Sequence, residues 1–138
     1  MPFKTCLIVD DEAPVRGYVK TVLETVHFQT LEAGDSIQAM RWVEKLGDAL
    51  DLIVSDIEMP GGDGVAFVSS VRESFPALPI ILISGYADRE PRQHPSTSFE
   101  FIQKPFLPEM LLIAIEKAGM LMEKRKRGNI PKLSGPTA

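Results

Sequence analysis

Cysteine, histidine and long apolar runs are all scarce in this sequence of 138 residues, which has one cysteine and two histidines. A single cysteine cannot form an internal disulfide, and so few cysteine and histidine residues leave no cluster for a zinc site. No apolar run approaches the roughly 20 residues that a membrane-spanning helix needs, and residues 1–5 lack the apolar region of a signal peptide. The length suits one domain with its own core. We therefore expect a cytoplasmic, single-domain protein in which Cys6 is a buried apolar residue.

The net charge of −4 is unevenly distributed along the chain. Residues 1–122 carry −8 and residues 123–138 carry +4. An acidic body disfavours nucleic acid as a partner, because phosphate backbones attract basic surfaces. The basic cluster Lys124–Arg127 could contact phosphate, although a solvated helix end that complements the helix dipole is the stronger interpretation. We divide the chain into a folded domain, 1–122, and a basic helix end with a disordered tail, 123–138.

Five short segments with the character of strands alternate with segments of helical periodicity. They predict strands at 4–9, 28–33, 51–56, 80–83 and 99–103. Strands that alternate with helices are joined by right-handed crossovers, which predicts an α/β fold with a five-stranded parallel sheet and helices on both faces. The carboxyl ends of the strands then meet at one edge of the sheet, where ligands bind in folds of this kind.

Helical periodicity predicts which apolar residues face the sheet. Pro14 suits the first turn of helix 1, and Asp35 followed by Gln38 is typical of a capping box at the start of helix 2. The four predicted buried stripes are Val15, Tyr18, Val19, Val22, Leu23 and Val26; Ile37, Met40, Val43 and Leu46, beside Trp42; Val65, Val68, Val71 and Phe75; and Leu107, Met110, Leu111, Ala114, Ile115, Ala118 and Leu121. Further apolar residues lie off the last stripe at Leu112, Ile113 and Met122. They leave a partner contact open, such as a weak homodimer.

Charged and hydroxyl side chains follow the predicted strands. These are Asp10 and Asp11 after strand 1, Asp56 after strand 3, Ser84 after strand 4 and Lys104 after strand 5. Each alone has an ordinary explanation as a turn residue, a helix N-terminus or a surface charge. Together, three carboxylates at one edge repel each other unless a cation lies between them, and Mg²⁺ prefers oxygen ligands of this type. Because the lysine and the hydroxyl can donate to phosphoryl oxygens, the set predicts a phosphoryl-accepting site with a carboxylate nucleophile.

The sequence resembles the receiver domain of two-component response regulators from about Lys4 to Met122. The resemblance rests on five motifs in a fixed order: Ile8-Val9-Asp10-Asp11-Glu12, Ser55-Asp56-Ile57-Glu58-Met59-Pro60, Asp63-Gly64, Ile83-Ser84-Gly85-Tyr86-Ala87 and Lys104-Pro105-Phe106. Each motif is weak alone, whereas the ordered set is specific. The resemblance implies a flavodoxin-like strand order, 2-1-3-4-5.

The resemblance also implies the chemistry of the site. Asp56 would accept a phosphoryl group from a sensor histidine kinase or a histidine phosphotransfer protein, and Ser84 and Lys104 would bind its oxygens. The implied Mg²⁺ ligands are Asp10, Asp11, Asp56 and the main-chain carbonyl of Glu58. No organic cofactor is implied, and the bond between Lys104 and Pro105 would be cis, as proline permits.

Receiver domains transmit phosphorylation through a hydroxyl residue and an aromatic residue, and here these positions are Ser84 and Phe101. Between them, residues 86–98 contain two prolines and no apolar stripe. Proline inside a helix costs about 3 kcal/mol. We therefore expect the family's helix 4, between strands 4 and 5, to be short or irregular, and the output surface to be unusual.

Three functions are compatible with these residues. The first is a phosphorelay switch that changes its binding to a downstream protein, catalyses its own phosphorylation and slow dephosphorylation, and has no nucleic-acid or membrane partner. The second is a protein-interaction module of the same fold that needs no phosphate. The third is an aspartate-based phosphatase of another fold, which would require a second aspartate where Glu58 stands. The intact set of Asp10, Asp11, Asp56, Ser84 and Lys104 favours the first, which is a switch rather than an enzyme.

Overall fold

The computed structural model describes residues 4–59, 62–85 and 99–127. The strands of its main sheet are β1 (Lys4–Val9), β2 (Phe28–Ala33), β3 (Leu52–Asp56), β4 (Ile80–Ser84) and β5 (Glu100–Gln103). The helices are α1 (Ala13–Glu24), α2 (Ser36–Leu46), α3 (Gly64–Ser74) and α4 (Pro108–Arg127), with a 3₁₀ turn at Gly47–Ala49. A short antiparallel ladder pairs Glu58–Met59 with Gly62–Asp63 just before α3.

All five strands are parallel and lie in the order β2-β1-β3-β4-β5, which confirms the predicted flavodoxin-like α/β fold. β1 lies between β2 and β3, with Leu7 opposite both Leu31 and Ile53. β3 and β4 are buried along their whole length, because helices cover both faces of the sheet. A strand buried on both faces needs apolar residues at successive positions, which explains the uninterrupted Leu-Ile-Val and Ile-Ile-Leu-Ile runs of the sequence.

Alternate residues of the strands point to opposite faces of the sheet and form two cores. The core on the α2 and α3 side includes Leu7, Val9, Ile53, Val43, Val68 and Leu82. The core on the α1 and α4 side includes Cys6, Ile8, Val54, Leu23, Ile81 and Leu111. Cys6 is fully buried in this second core, as predicted. The two cores thus pack helices against both faces of the sheet.

Helix α2 begins with the predicted cap. Asp35 Oδ1 accepts a hydrogen bond from Gln38 N at 2.8 Å, and Gln38 Oε1 accepts one from Gly34 N at 2.8 Å. The return bond thus reaches one residue further back than in a regular capping box. The bond between Lys104 and Pro105 is cis, which was also predicted.

The buried stripes are narrower than predicted. Five residues placed on them are exposed: Tyr18 (37%), Val26 (40%), Ile37 (64%), Leu107 (64%) and Met110 (50%). Val26 lies two residues beyond the end of α1 and Leu107 lies just before the first residue of α4, so helical spacing does not determine where their side chains point. Ala114 and Ala118 of the predicted stripes are buried, and so is Ala39, which was not placed on a stripe.

Some predictions lie outside the described residues. These are the short or irregular helix at 86–98, the tail beyond Arg127 and the side chains of Leu121, Met122 and Lys124–Arg127. Of the off-stripe residues that can be assessed, Ile113 is 52% exposed and Leu112 is partly buried in the second core. No helix in the described ranges combines the length and the apolar character needed to cross a membrane.

Candidate functional site

The predicted site residues gather at the carboxyl edge of the sheet. Asp10 follows β1, Asp56 ends β3, Ser84 ends β4 and Lys104 follows β5. Backbone hydrogen bonds continue the ladders past the strand ends, since Asp10 N donates to Ala33 O at 3.1 Å and Lys104 N donates to Ser84 O at 2.7 Å. The sheet therefore determines the relative positions of these residues.

The Lys104 ammonium lies between two buried carboxylates. Its Nζ atom is 3.1 Å from Asp56 Oδ2 and 3.4 Å from Asp10 Oδ2. Both aspartate side chains are almost completely buried, whereas the Lys104 side chain is 23% exposed. Lys104 is therefore the most accessible of the three side chains.

Backbone amides bind the second oxygen of each aspartate. Glu58 N donates to Asp56 Oδ1 at 2.9 Å, and Glu12 N donates to Asp10 Oδ1 at 2.9 Å. In both cases the donor is two residues after the aspartate, which is the usual pattern of an aspartate that closes its own turn. The turn chemistry that the sequence shows at these positions therefore also orients the carboxylates of the site.

Negative charge exceeds positive charge in this cluster. Burial raises the pKa of Asp10, and the Asp56 charge raises it further, while the Glu12 N–H and Lys104 lower it. Burial likewise raises the pKa of Asp56 against the lowering effects of the Glu58 N–H and Lys104. Burial would lower the pKa of Lys104, but its ion pairs with Asp56 and Asp10 outweigh this and raise it. One ammonium is therefore shared by two buried carboxylates, which are incompletely neutralised.

These carboxylates fit a divalent cation. Asp10, Asp11 and Asp56 each provide a carboxylate oxygen, and the three oxygens lie within 4.8 Å of one another. Asp10 Oδ2 is buried, and no donor in the described part of the chain forms a hydrogen bond with it. Asp11 is exposed, so the group opens towards solvent. Hard oxygen ligands with an open side are the arrangement that Mg²⁺ uses when it also binds a phosphate.

Ser84 makes a contact that the sequence did not predict. Its Oγ donates to Glu58 Oε2 at 2.5 Å, and the next amide, Gly85 N, donates to Glu58 Oε1 at 3.0 Å. The Glu58 side chain thus crosses from the end of β3 to the end of β4. The prediction for Glu58 concerned only its main-chain carbonyl as a metal ligand.

Phe101 lies apart from the charged cluster. It is the second residue of β5, opposite Leu82, and its partly buried ring packs against the core on the α2 and α3 side. The predicted pair of switch residues therefore occupies neighbouring strands of the sheet, with Ser84 at the end of β4 and Phe101 within β5.

Two further residues shape the site, and the sequence analysis predicted no contact at the site for either. Arg16 Nη1 donates to Asp10 O at 2.7 Å while its Nε pairs with Glu32 at 2.8 Å, so Arg16 braces the turn after β1. Gly64 packs against the end of β3 so closely that a Cβ atom there would lie 2.7 Å from Asp56 O. Gly64 belongs to the Asp63-Gly64 motif, but the motif alone does not show that the glycine packs against main-chain atoms at the end of β3. Arg16 carries no distinctive sequence signal, because Glu32 is distant from it in sequence and its other partner is a main-chain oxygen.

A family model for the response regulator receiver domain matches residues 6–116. The chain belongs to this family. It is a receiver domain of two-component systems, as the motifs predicted, and the matched range includes every predicted site residue.

Curated relatives of this receiver domain include larger proteins. The chain is 32% identical over 123 residues to the sensor kinase CckA of Brucella abortus (strain 2308). It is 34% identical over 114 residues to the phosphate regulon transcriptional regulatory protein PhoB of Escherichia coli (strain K12). These alignments cover 88% and 80% of this chain but only 13% and 49% of the two relatives. The chain therefore spans less than half of the length of either relative.

Solved structures of receiver domains share its fold. One is the response regulator protein TrrA of Thermotoga maritima, solved in complex with Mg²⁺-BeF, with a TM-score of 0.75 and 25% sequence identity. The similarity covers 83% of this chain and 98% of that one. Another is the receiver domain of the hybrid histidine kinase CckA, with a TM-score of 0.71, 29% identity, and coverage of 83% and 97%.

Proposed function

We propose that this receiver domain is a phosphorelay switch that accepts a phosphoryl group on Asp56. The observation that carries the proposal is the Asp56 carboxylate, held by the Glu58 amide and by Lys104 beside the carboxylates of Asp10 and Asp11. The Asp56 nucleophile, the Lys104 ammonium and the carboxylate oxygens that can bind a metal thus lie together at the carboxyl edge of the sheet. The donor would be the phosphohistidine of a sensor histidine kinase or of a histidine phosphotransfer protein.

The reaction forms one bond and breaks one. A carboxylate oxygen of Asp56 attacks the phosphorus atom, and the bond from phosphorus to the imidazole nitrogen of the donor breaks. The imidazole keeps the electron pair and takes up a proton. Because Asp56 is held from both sides by Glu58 N and Lys104, its carboxylate is positioned before the donor arrives, which lowers the entropic cost of the transfer.

The other side chains of the edge balance the charge of the phosphoryl group. Lys104 Nζ and the Ser84 hydroxyl act as donors to its oxygens. Mg²⁺, bound by Asp10, Asp11, Asp56 and the main-chain carbonyl of Glu58, would supply the positive charge that lets an anionic donor approach an acidic site. The same residues catalyse slow hydrolysis of the aspartyl phosphate, so the protein is a switch with self-catalysed chemistry and not a turnover enzyme.

Phosphorylation changes binding to a downstream protein in this proposal. Ser84 moves towards the phosphoryl group, Phe101 changes its packing, and the surface formed by β5 and its neighbours changes with it. The acidic body disfavours nucleic acid as the direct partner of these residues. The site requires no membrane and operates in the cytoplasm.

The test is the intact mass of the protein after incubation with Mg²⁺ and acetyl phosphate. We expect the wild type to gain the mass of one HPO₃ group, which is lost in alkali, and Asp56→Asn to gain none. Asp48→Asn is the matched control, because Asp48 is exposed in the 3₁₀ turn at the opposite edge of the sheet. It should be phosphorylated as the wild type is.

An adduct on Asp56→Asn would place the acceptor elsewhere. If no protein forms an adduct and none binds beryllofluoride, the phosphorelay function is wrong. The phosphate-independent interaction module then becomes the better description of the chain.

A further inference from the structure

The Glu58 carboxylate already occupies two of the donors at the end of β4. Glu58 Oε2 accepts from the Ser84 hydroxyl at 2.5 Å, and Glu58 Oε1 accepts from Gly85 N at 3.0 Å. Both oxygens of the Glu58 carboxylate therefore accept hydrogen bonds, one from the last residue of β4 and one from the residue that follows it. Hydrogen bonds of this kind, in which the acceptor is charged, are about twice as strong as those between neutral groups.

These donors face the anion-binding edge of the sheet. Ser84 ends β4, and the residue before it, Ile83, lies opposite Asp56 in the register of β3 with β4. Glu58 is also connected to the acceptor directly, since its amide binds Asp56 Oδ1 at 2.9 Å. A single residue thus contacts both the phosphoryl acceptor and the predicted phosphoryl ligand.

A hydroxyl has one proton to donate, and so has an amide. Ser84 and Gly85 cannot keep these bonds to Glu58 and at the same time give both protons to a phosphoryl oxygen. A phosphoryl group on Asp56 would also bring its negative charge close to the Glu58 carboxylate, and like charges repel. The number of protons and the repulsion between like charges both mean that the Glu58 carboxylate and the phosphoryl group cannot bind Ser84 and Gly85 at the same time.

We propose that the Glu58 carboxylate takes the place of the phosphoryl group on Ser84 and Gly85, so that phosphorylation of Asp56 must displace the Glu58 side chain. Glu58 is in this sense an internal competitor and a positioning residue, and it acts on phosphorylation through Ser84. The inference rests on the proposed function. It adds that this chain carries its own anion at the site, and that the unphosphorylated form is favoured because of it.

Removal of the competitor should make the site bind a phosphoryl analogue more tightly. We would measure binding of beryllofluoride in the presence of Mg²⁺ by isothermal titration calorimetry, and the initial rate of phosphorylation by acetyl phosphate. Glu58→Gln keeps the size of the side chain and removes its charge, whereas Glu58→Ala removes the contact altogether. We expect the dissociation constant of beryllofluoride to fall about tenfold in both variants, and the initial rate to rise.

Glu44→Gln is the matched control, because Glu44 is an exposed glutamate on α2 and the change in net charge is the same. It should bind beryllofluoride as the wild type does. A merely structural role for Glu58 predicts the opposite sign, since loss of a brace at the site weakens binding.

Two results would overturn the inference, and only the second would also overturn the proposed phosphorelay function. In the first, the wild type binds beryllofluoride and both Glu58→Gln and Glu58→Ala bind it equally or more weakly. This result contradicts the competitor role and leaves the phosphorelay function intact. No binding and no phosphoryl adduct for the wild type removes both the competitor role and the proposed function.

Discussion

At the residue scale, the buried carboxylates of Asp10 and Asp56 share one ammonium, that of Lys104. Lys104 gains from both ion pairs, and this is why its pKa is raised although burial would lower it. Asp10 and Asp56 each obtain only part of the compensation, so their pKa values are raised as well. The lysine therefore stabilises the folded metal-free protein, while the two ionised aspartates destabilise it. This imbalance favours the binding of a further cation.

Asp56→Asn should make the metal-free protein more stable at neutral pH. The pKa of Asp56 is raised in the folded state, so its contribution to stability is full below the unfolded-state value, about 3.9, and is lost as the pH rises through the folded-state value. Asparagine does not titrate, so the variant does not lose this contribution to stability as the pH rises. The free energy of unfolding of the variant, relative to wild type, should therefore increase through the acidic range and level off towards neutrality.

Urea denaturation at a series of pH values, with a chelator present, measures this difference. Asp48→Asn, on the exposed 3₁₀ turn, serves as the control for the loss of one carboxylate outside the site. A variant less stable than wild type at neutral pH would mean that the lost ion pair with Lys104 outweighs the relief from burying a charge.

At the scale of elements, the bounds of strands and helices are easier to predict from the sequence than the side chains that these elements bury. β1 and β2 have their predicted bounds, because Asp10 after β1 and Gly34 after β2 are local signals that end a strand. Ile37 was expected in the core but is 64% exposed, whereas Ala39 two residues later is fully buried. Residues two apart in a helix point about 200° away from each other. The buried face of α2 therefore contains Ala39 and Val43 and not Ile37, and the packing of the helix on the sheet decides which face that is.

The same limit applies to the site. Asp10, Asp56 and Lys104 were predictable because each one directly follows or ends a strand, and the sheet carries all strand ends to one edge. The contact of Glu58 with Ser84 joins residues 26 positions apart and depends on a side-chain conformation. No local pattern encodes that conformation, so the carboxylate could be predicted to lie near the site but not to occupy its donors.

The junction between β3 and α3 provides a test of packing next to the acceptor. A Cβ atom at Gly64 would lie 2.5 Å from Ile57 Cα, 2.7 Å from Asp56 O and 2.8 Å from Ile57 O, and all three atoms belong to the main chain. Gly64→Ala should therefore lower the free energy of unfolding by about 1–3 kcal/mol, as overpacking does. It should also slow phosphorylation, because the backbone that must move carries Asp56.

Gly17→Ala is the opposite case and the control. Gly17 lies within α1, and a Cβ atom there would meet nothing within 4 Å. The substitution should raise the free energy of unfolding by about 0.5–1 kcal/mol, since glycine inside a helix is unfavourable. Chemical denaturation of the two variants measures both changes, and equal effects would show that Gly64 is not constrained by the end of β3.

At the scale of the whole molecule, the site exists only when the sheet is complete. Asp10, Asp56 and Lys104 come from the ends of three strands, and the bond between Asp56 and Lys104 joins residues 48 positions apart. An unfolded chain does not bring these side chains together. A cation that binds carboxylates from two of these strands therefore binds the folded state in preference and stabilises the entire domain.

Mg²⁺ should accordingly raise the unfolding temperature of the whole domain. At a concentration one hundred times its dissociation constant, binding to the folded state alone adds about 2.7 kcal/mol to the free energy of unfolding. Asp10→Asn should abolish most of this gain, because Asp10 provides a buried oxygen that accepts no hydrogen bond within the described ranges. Calorimetric scans with MgCl₂, and with NaCl at equal ionic strength to control for screening, measure the effect. An equal shift in wild type and Asp10→Asn would place the cation elsewhere on the acidic surface, because only binding at the carboxyl edge of the sheet depends on that carboxylate.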